Sequence, residues 1–142
     1  MEWIARARTM ATQAHAGQFD KAGQPYIGHV GRVAARVSGD VDAEVVAWLH
    51  DVVEDCPGSA AQVQDFPEHI QHAVHLLSRN RTADTDLYYA GIAANPLALK
   101  VKLADIADNA DAHRLAALDA ATAERLRSKY RHALVALGQA QA

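Results

Sequence analysis

Asn95-Pro96-Leu97-Ala98-Leu99-Lys100-Val101-Lys102-Leu103 decides the fold class. Leu97, Leu99, Val101 and Leu103 alternate with Ala98, Lys100 and Lys102, which is the period of a half-buried strand. Two features favour a helix. Asn95-Pro96 is a cap followed by a residue suited to the first turn, where a backbone N–H would be unpaired anyway. Residues 104–117 then run on without glycine or proline. No partner strand is evident elsewhere, and an isolated strand has nothing to pair with. The spacing therefore predicts a helix from Pro96 onward.

The surrounding chain reads the same way. Alanine, the best intrinsic helix former, supplies 31 of the 142 residues. Short turns at Ala22-Gly23-Gln24-Pro25, Ser38-Gly39-Asp40, Cys56-Pro57-Gly58-Ser59 and Asn95-Pro96 cut the sequence into pieces of helical length. Helices are expected over about 2–16, 28–37, 84–94 and 120–137. Another starts near Asp42, capped by Asp40 or Asp42, and ends at Pro57-Gly58. It carries Val45, Val46, Leu49, Val52 and Val53 on one broad face. A short helix follows Ser59. Pro67 suits a first helical position ahead of Ile70, Ala73, Val74 and Leu77. The chain thus reads as all-α, one compact bundle-like domain of about seven or eight helices over 1–142.

Composition narrows the function classes. Half the residues are apolar, 22% are charged, and the net charge is −3 with histidine neutral. That balance argues against a large nucleic-acid footprint. No apolar run is long enough to span a membrane. Met1-Glu2-Trp3-Ile4-Ala5-Arg6 lacks the pattern of a secretory leader, so a cytoplasmic location is expected. Cys56 is the single cysteine, which excludes an internal disulfide framework. Eight histidines stand against four lysines, and they need placing one by one.

The densest chemistry lies in His50-Asp51-Val52-Val53-Glu54-Asp55. On a helix, His50 and Glu54 share a face, as do Asp51 and Asp55. One imidazole and three carboxylates at one helix end call for a compensating divalent cation. A solvated acidic helix end, or a cap, is the plainer alternative. Pro25-Tyr26-Ile27-Gly28-His29 adds a histidine at the mouth of a helix. Lys102-Leu103-Ala104-Asp105-Ile106-Ala107-Asp108-Asn109 puts Asp105 and Asn109 four apart.

The order His…His-Asp…Asp resembles the HD superfamily of metal-dependent phosphohydrolases. Ala14-His15-Ala16-Gly17-Gln18 followed by Lys21-Ala22-Gly23-Gln24-Pro25-Tyr26-Ile27-Gly28-His29 resembles the opening motif of its alarmone hydrolase branch. That branch holds the hydrolase domains of Rel/Spo-type enzymes and the small alarmone hydrolases. His50-Asp51-Val52-Val53-Glu54-Asp55, then Lys102-Leu103-Ala104-Asp105 with Asn109, complete the pattern in order, and the likeness spans about 5–130. It implies an HD-type helical domain acting on a small nucleotide of the stringent response, by removal of the 3′-diphosphate of (p)ppGpp as pyrophosphate. It implies that His29, His50, Asp51 and Asp105 bind one metal, manganese in the family, although such a donor set also admits Fe or Zn. Glu54 and Asp55 would be the catalytic pair that orients and deprotonates water. Lys21 would face the phosphates, and Asn109 the sugar or a phosphate. No counterpart of a synthetase domain follows, so synthesis is not expected.

One departure bears on the substrate. Asp20-Lys21 stands where the family carries Arg-Lys, and that arginine lies against the guanine base. A carboxylate cannot stack as a guanidinium does. It can accept from an exocyclic amine, so ppApp is an alternative substrate for the same chemistry. NADPH, through its 2′-phosphate, is another, and a non-catalytic nucleotide-binding module is a third reading. Val30 stands where proline is common.

Other residues carry weaker signals. Arg79 and Arg81 are spare cations for a phosphate-rich ligand, or plain surface charge. His15 fits the loop framing the site. His69, His72 and His75 recur every third residue without a motif carboxylate among them, and read as surface. His113 and His132 read as surface or satisfied core. Lys100 and Lys102 read as structural or surface, and Trp48 as core. Cys56 has no evident base partner for a nucleophile role.

Overall fold

Asn95 caps a helix by accepting the Ala98 N–H on its side chain at 2.9 Å, and Pro96 follows at the helix start. The segment that alternates like a strand is therefore the first half of the helix Pro96–Asn109. Its inward face carries Ala98, Val101, Asp105 and Asp108, with Ala104 and Ile106 alongside. Leu97, Leu99 and Leu103 are only partly buried against the core, so the alternation is incidental to the packing. Lys100 points away and pairs with Asp40 at 2.8 Å.

The computed structural model describes residues 2–55 and 57–139, apart from the side chains at 55, 57, 59 and 60. Among these the helices are α1 (Trp3–Ala14), α2 (Tyr26–Arg36), α3 (Val41–Leu49), α4 (Val52–Asp55), α5 (Glu68–Leu77), α6 (Thr85–Ala93), α7 (Pro96–Asn109), α8 (Ala112–Ala116) and α9 (Ala120–Ala136). Two 3-10 segments, Pro57–Asp65 and Arg79–Arg81, join α4 to α5 and α5 to α6. The described residues hold no strand, only an isolated bridge between Phe19 and Pro25. None of their helices is long and apolar enough to cross a membrane.

Helix α3 is the central element. Asp40 caps it through the Ala43 N–H, and Ala43, Val45, Val46, Ala47 and Leu49 are all buried. It packs against α1, α2, α5 and α7. Burying each of its larger side chains contributes roughly 1.5–3 kcal/mol. Helix α1 supplies Ala7, Met10 and Ala11, and α2 supplies Val30, Val33 and Ala34. A separate small cluster of Leu115, Ala123 and Leu126 joins α8 to α9.

Several boundaries differ from expectation. Helix α2 begins at Tyr26, two residues early, with Pro25 as its cap, so His29 sits in its first turns. Pro67 is likewise a cap, just outside α5. The helix expected from Asp42 to Pro57 breaks at His50, whose Nδ1 lies 2.6 Å from the Ala47 carbonyl. A side chain bonded to the backbone there competes with the next helical turn. The run after Asn109 also breaks, because Asp111 takes the N–H groups of His113 and Arg114 and starts α8 afresh. Cys56 lies outside the described residues.

Candidate metal centre

Three elements converge on one buried point. Helix α2 brings His29, the break after α3 brings His50 and Asp51, and α7 brings Asp105. His29 Nε2 lies 2.9 Å from Asp105 Oδ1. His50 Nε2 lies 3.0 Å from Asp51 Oδ2 and 3.4 Å from Asp105 Oδ1. The donor atoms of His29, His50 and Asp51 all fall within 4.8 Å of one another. Ligands at ~2.1 Å from an octahedral ion stand roughly 3 Å apart at neighbouring corners, so the spacing suits a single divalent ion. All four residues expected as ligands are therefore brought together.

The protonation pattern supports the same fit. His50 Nδ1 faces a carbonyl, so it carries a proton, and in the neutral ring Nε2 holds the lone pair. Nε2 is buried and has no aligned hydrogen bond despite the two carboxylates beside it. A lone pair set among carboxylate oxygens is unfavourable without a proton or a cation between them. Burial disfavours the His50 imidazolium, yet the Asp51 and Asp105 charges overcome this and raise its pKa well above the ordinary value. Burial likewise opposes ionisation of Asp105, but the hydrogen bond from His29 and the nearby positive groups hold its carboxyl well below the usual range. Protons on the histidines thus occupy the place a cation would take. Binding a cation there expels them.

A second ring of residues holds these ligands, and sequence reasoning missed most of it. Asp108 Oδ2 lies 2.6 Å from His29 Nδ1. That contact fixes the ring so that Nε2 faces the cluster, the usual support for a metal-bound histidine. Asp108 is also held by Arg32 Nε at 2.8 Å and Arg114 Nη1 at 2.9 Å. Its only sequence signature is the three-residue step from Asp105, which puts both on one face of α7. Tyr26 donates its hydroxyl to Asp51 in a short hydrogen bond. Asn109 donates to Asp105 Oδ1 at 3.2 Å and accepts from Arg114 Nη1 at 3.1 Å. Arg114 had no motif to mark it, because it reaches the site only through the break before α8.

Two cavities flank the cluster and share Tyr26, Asn109 and Tyr130. The larger, about 230 Å³, has an apolar wall of Phe19, Leu115, Leu118 and Leu126, with Asp20, Lys21 and Arg114 among its polar groups. The smaller, about 160 Å³, opens over Asp51 and Asp105 and is lined by Arg79, Lys102 and Lys129.

The remaining expected residues divide. Lys21 is exposed on the larger cavity. Asp20 lines it too, but both its oxygens are engaged. Oδ1 accepts the N–H groups of Ala22 and Gln24, closing the turn that ends at Gly23 (φ +81°). Oδ2 accepts from Arg114 at 3.0 Å. Asp20 therefore serves first as a loop cap and an Arg114 partner, with Oδ2 holding one of its two acceptor positions open. Glu54 is not stacked on His50. Because the helix breaks between them, its Oε2 instead accepts the Arg79 N–H at 2.8 Å. The Asp55 side chain lies outside the described residues. Arg81, expected on phosphate, instead donates to the Leu76 and Tyr88 carbonyls and lines neither cavity. His15 is buried and bonded to Gln18. His69 is exposed and paired with Asp42. His72, His75, His113 and His132 are exposed.

The described residues thus form an all-α fold around a buried His-His-Asp cluster suited to one divalent cation, flanked by an apolar and a cationic cavity. No protein-family model matches the chain. Relatives do. It is 41% identical over 59 residues to a guanosine-3′,5′-bis(diphosphate) 3′-pyrophosphohydrolase of Haemophilus influenzae, covering 39% of this chain and 9% of that protein. It is 33% identical over 66 residues to the bifunctional (p)ppGpp synthase/hydrolase SpoT of Escherichia coli, covering 44% and 9%. It is 42% identical over 55 residues to the bifunctional (p)ppGpp synthase/hydrolase RelA of Mycobacterium tuberculosis, covering 37% and 8%. The matches thus span about a tenth of the relatives' own length. Over the matched stretch they support likeness to a Rel/Spo-type HD hydrolase domain.

Proposed function

We propose that this chain is a Mn²⁺-dependent hydrolase that removes the 3′-diphosphate of (p)ppGpp, or of a close relative, as pyrophosphate. The observation that carries the reading is the convergence of His29, His50, Asp51 and Asp105 from three separate elements. The named relatives supply the substrate class.

When bound, a divalent cation acidifies water and polarises a phosphoryl oxygen. The chain's own groups do the rest. His29 is held by Asp108 with Nε2 turned into the site, and Tyr26 fixes Asp51. Glu54 Oε2 is anchored on the Arg79 N–H, which leaves Oε1 to take the proton of the attacking water. Asp55 shares that role in our reading. The water oxygen bonds to phosphorus as the phosphorus–O3′ bond breaks, and the proton that Glu54 took from the water is returned to the leaving ribose oxygen. Asn109, common to both cavities, sits where it can contact the sugar. The apolar wall of Phe19 and Leu126 takes the base, and Lys21 lies at the rim for a phosphate.

The test is a hydrolysis panel with ppGpp, ppApp and NADPH, each with Mn²⁺ or with a chelator, resolved by anion exchange. Chelator-sensitive release of pyrophosphate from a guanine nucleotide is expected. Phosphate release from NADPH alone would move the substrate, and no turnover of any of the three would sink the enzyme reading in favour of a binding module. Fe²⁺ and Zn²⁺ arms test the metal.

A further inference from the structure

Lys102 and Lys129 had no role in the sequence reading, yet both line the cavity that opens over Asp51 and Asp105. Arg79 joins them from the start of a 3-10 turn. The three cations come from three different elements, and their surroundings leave most of that charge uncompensated. The Arg79 guanidinium stacks over Tyr88 at 4.4 Å and makes no ion pair among the described residues, while Glu54 meets only its backbone N–H. Lys129 likewise makes no ion pair among the described residues. Lys102 reaches Asp105 Oδ2 at 3.4 Å, but Asp105 is shared with both histidines. Like charges gathered without partners repel one another, and an anion removes that penalty. Burial and then the Lys102, Lys21 and Arg79 charges hold the Lys129 ammonium below its usual pKa, which reports the same crowding.

The contrast with the neighbouring cavity is chemical. There the guanidinium of Arg114 is already tied to Asp20 and Asp108, and the wall is apolar. With a divalent ion on the Asp51 and Asp105 carboxylates, the smaller cavity carries a net charge near three positive. A diphosphate group has matching charge and enough oxygens to meet three separated donors.

We propose that Arg79, Lys102 and Lys129 form an anion subsite for a diphosphate group, which holds the two-phosphate end of the substrate and then the released pyrophosphate. The identity of the anion as part of a nucleotide rests on the hydrolase reading above. The subsite itself does not. Lys129 is the informative position, because it is exposed and can be changed without disturbing the core.

The experiment is calorimetric titration of inorganic pyrophosphate and inorganic phosphate onto the Mn²⁺-loaded protein at low salt. Wild type is compared with Lys129→Gln, Lys129→Arg and the remote Lys100→Gln. Pyrophosphate should bind wild type more tightly than phosphate. Lys129→Gln should weaken it roughly tenfold, the scale of one charged contact. Lys129→Arg should restore most of the loss, and Lys100→Gln should change nothing. Equal affinity of wild type and Lys129→Gln for pyrophosphate would overturn the subsite, as would equal affinity of wild type for the two anions. Nucleotide turnover is measured on the same proteins. Lys129-dependent pyrophosphate binding without turnover would keep the subsite and remove the hydrolase reading. Turnover with unchanged KM in Lys129→Gln would do the reverse.

Discussion

Asp108 is the most exposed point of the reasoning, because it holds the site without touching a ligand position. Its carboxylate is buried and faces His29 and Arg32 from α2 and Arg114 from α8. Burial opposes its ionisation, but the hydrogen bonds from His29 and Arg32 outweigh this and set its pKa at about 2, against an ordinary 3.8. A carboxyl with a depressed folded pKa contributes stability above its unfolded value, and loses it as pH falls through the folded value. At ~1.36 kcal/mol per pH unit the contribution is roughly 2 kcal/mol at pH 5 and about half that at pH 3. Both conditions lie below the ordinary histidine range, so His29 stays protonated and does not confound the difference. Asp108→Asn should therefore destabilise the chelator-treated protein by about 2 kcal/mol or more at pH 5, and by about 1 kcal/mol less at pH 3. Urea unfolding followed by circular dichroism measures both. A stability difference that stays constant between the two pH values refutes the assignment of Asp108 as the buried anion, even if the mutant is unstable. Because Asp108 also orients His29, the same variant should bind Mn²⁺ roughly tenfold to a hundredfold more weakly.

Three further outcomes are expected. A divalent cation at a hundred times its Kd should stabilise wild type by ~2.7 kcal/mol, seen as a rise in Tm, and His50→Ala should abolish the rise. A full rise in that variant would place the ion elsewhere. Tyr26→Phe removes the donor to Asp51. It should cost about 1 kcal/mol of stability and weaken Mn²⁺ binding about tenfold, both read from a thermal-shift titration. Unchanged Mn²⁺ affinity would show the contact to be incidental. Gly91→Ala would place a Cβ 2.9 Å from the Arg81 guanidinium, itself anchored on the Leu76 and Tyr88 carbonyls. The crowding should cost about 1–3 kcal/mol in urea unfolding, and a neutral result would show that Arg81 swings freely.

What the sequence made legible is what depends on local rules. Asn95-Pro96, the unbroken run behind it and the lack of a partner strand together pointed to helix over strand, the first because a side-chain cap and a missing N–H act within one turn. The set His29, His50, Asp51 and Asp105 was implied by the resemblance to the HD phosphohydrolases, while residue type alone marked only the His50–Asp55 run. The helical-spacing argument for His50 with Glu54 did not carry over, because His50 turns its own ring onto the Ala47 carbonyl and ends α3. Asp20 is a further case. Set against the family resemblance, it reads as a carboxylate in place of a base-stacking arginine. In the fold it is a loop cap and the partner of Arg114, which lies 94 residues away. No local pattern encodes a contact at that separation. The same distance hides Asp108, whose partners Arg32 and His29 become neighbours only once α2 packs on α7.

Four aspartates around the site fall into two kinds, and the division explains why a cation suits one pair of them. Asp20 and Asp108 each have a guanidinium at 3.0 Å or closer, so their charge is compensated permanently and serves to fix the loop and the His29 ring. Asp51 and Asp105 face imidazoles instead, and Asp105 has Lys102 at 3.4 Å besides. An arginine or lysine keeps its proton near neutral pH, whereas a histidine can lose it. The imidazole share of the compensation is therefore exchangeable: protons at low pH, or a divalent ion once those protons leave. Both histidines have pKa values raised by this pairing, so their stabilising effect in the metal-free protein is complete below the ordinary value of 6.5 and fades as pH rises through the folded values. In the proposed reading a divalent cation would take over in the range where the protons are lost, inside a frame that Arg32 and Arg114 hold fixed.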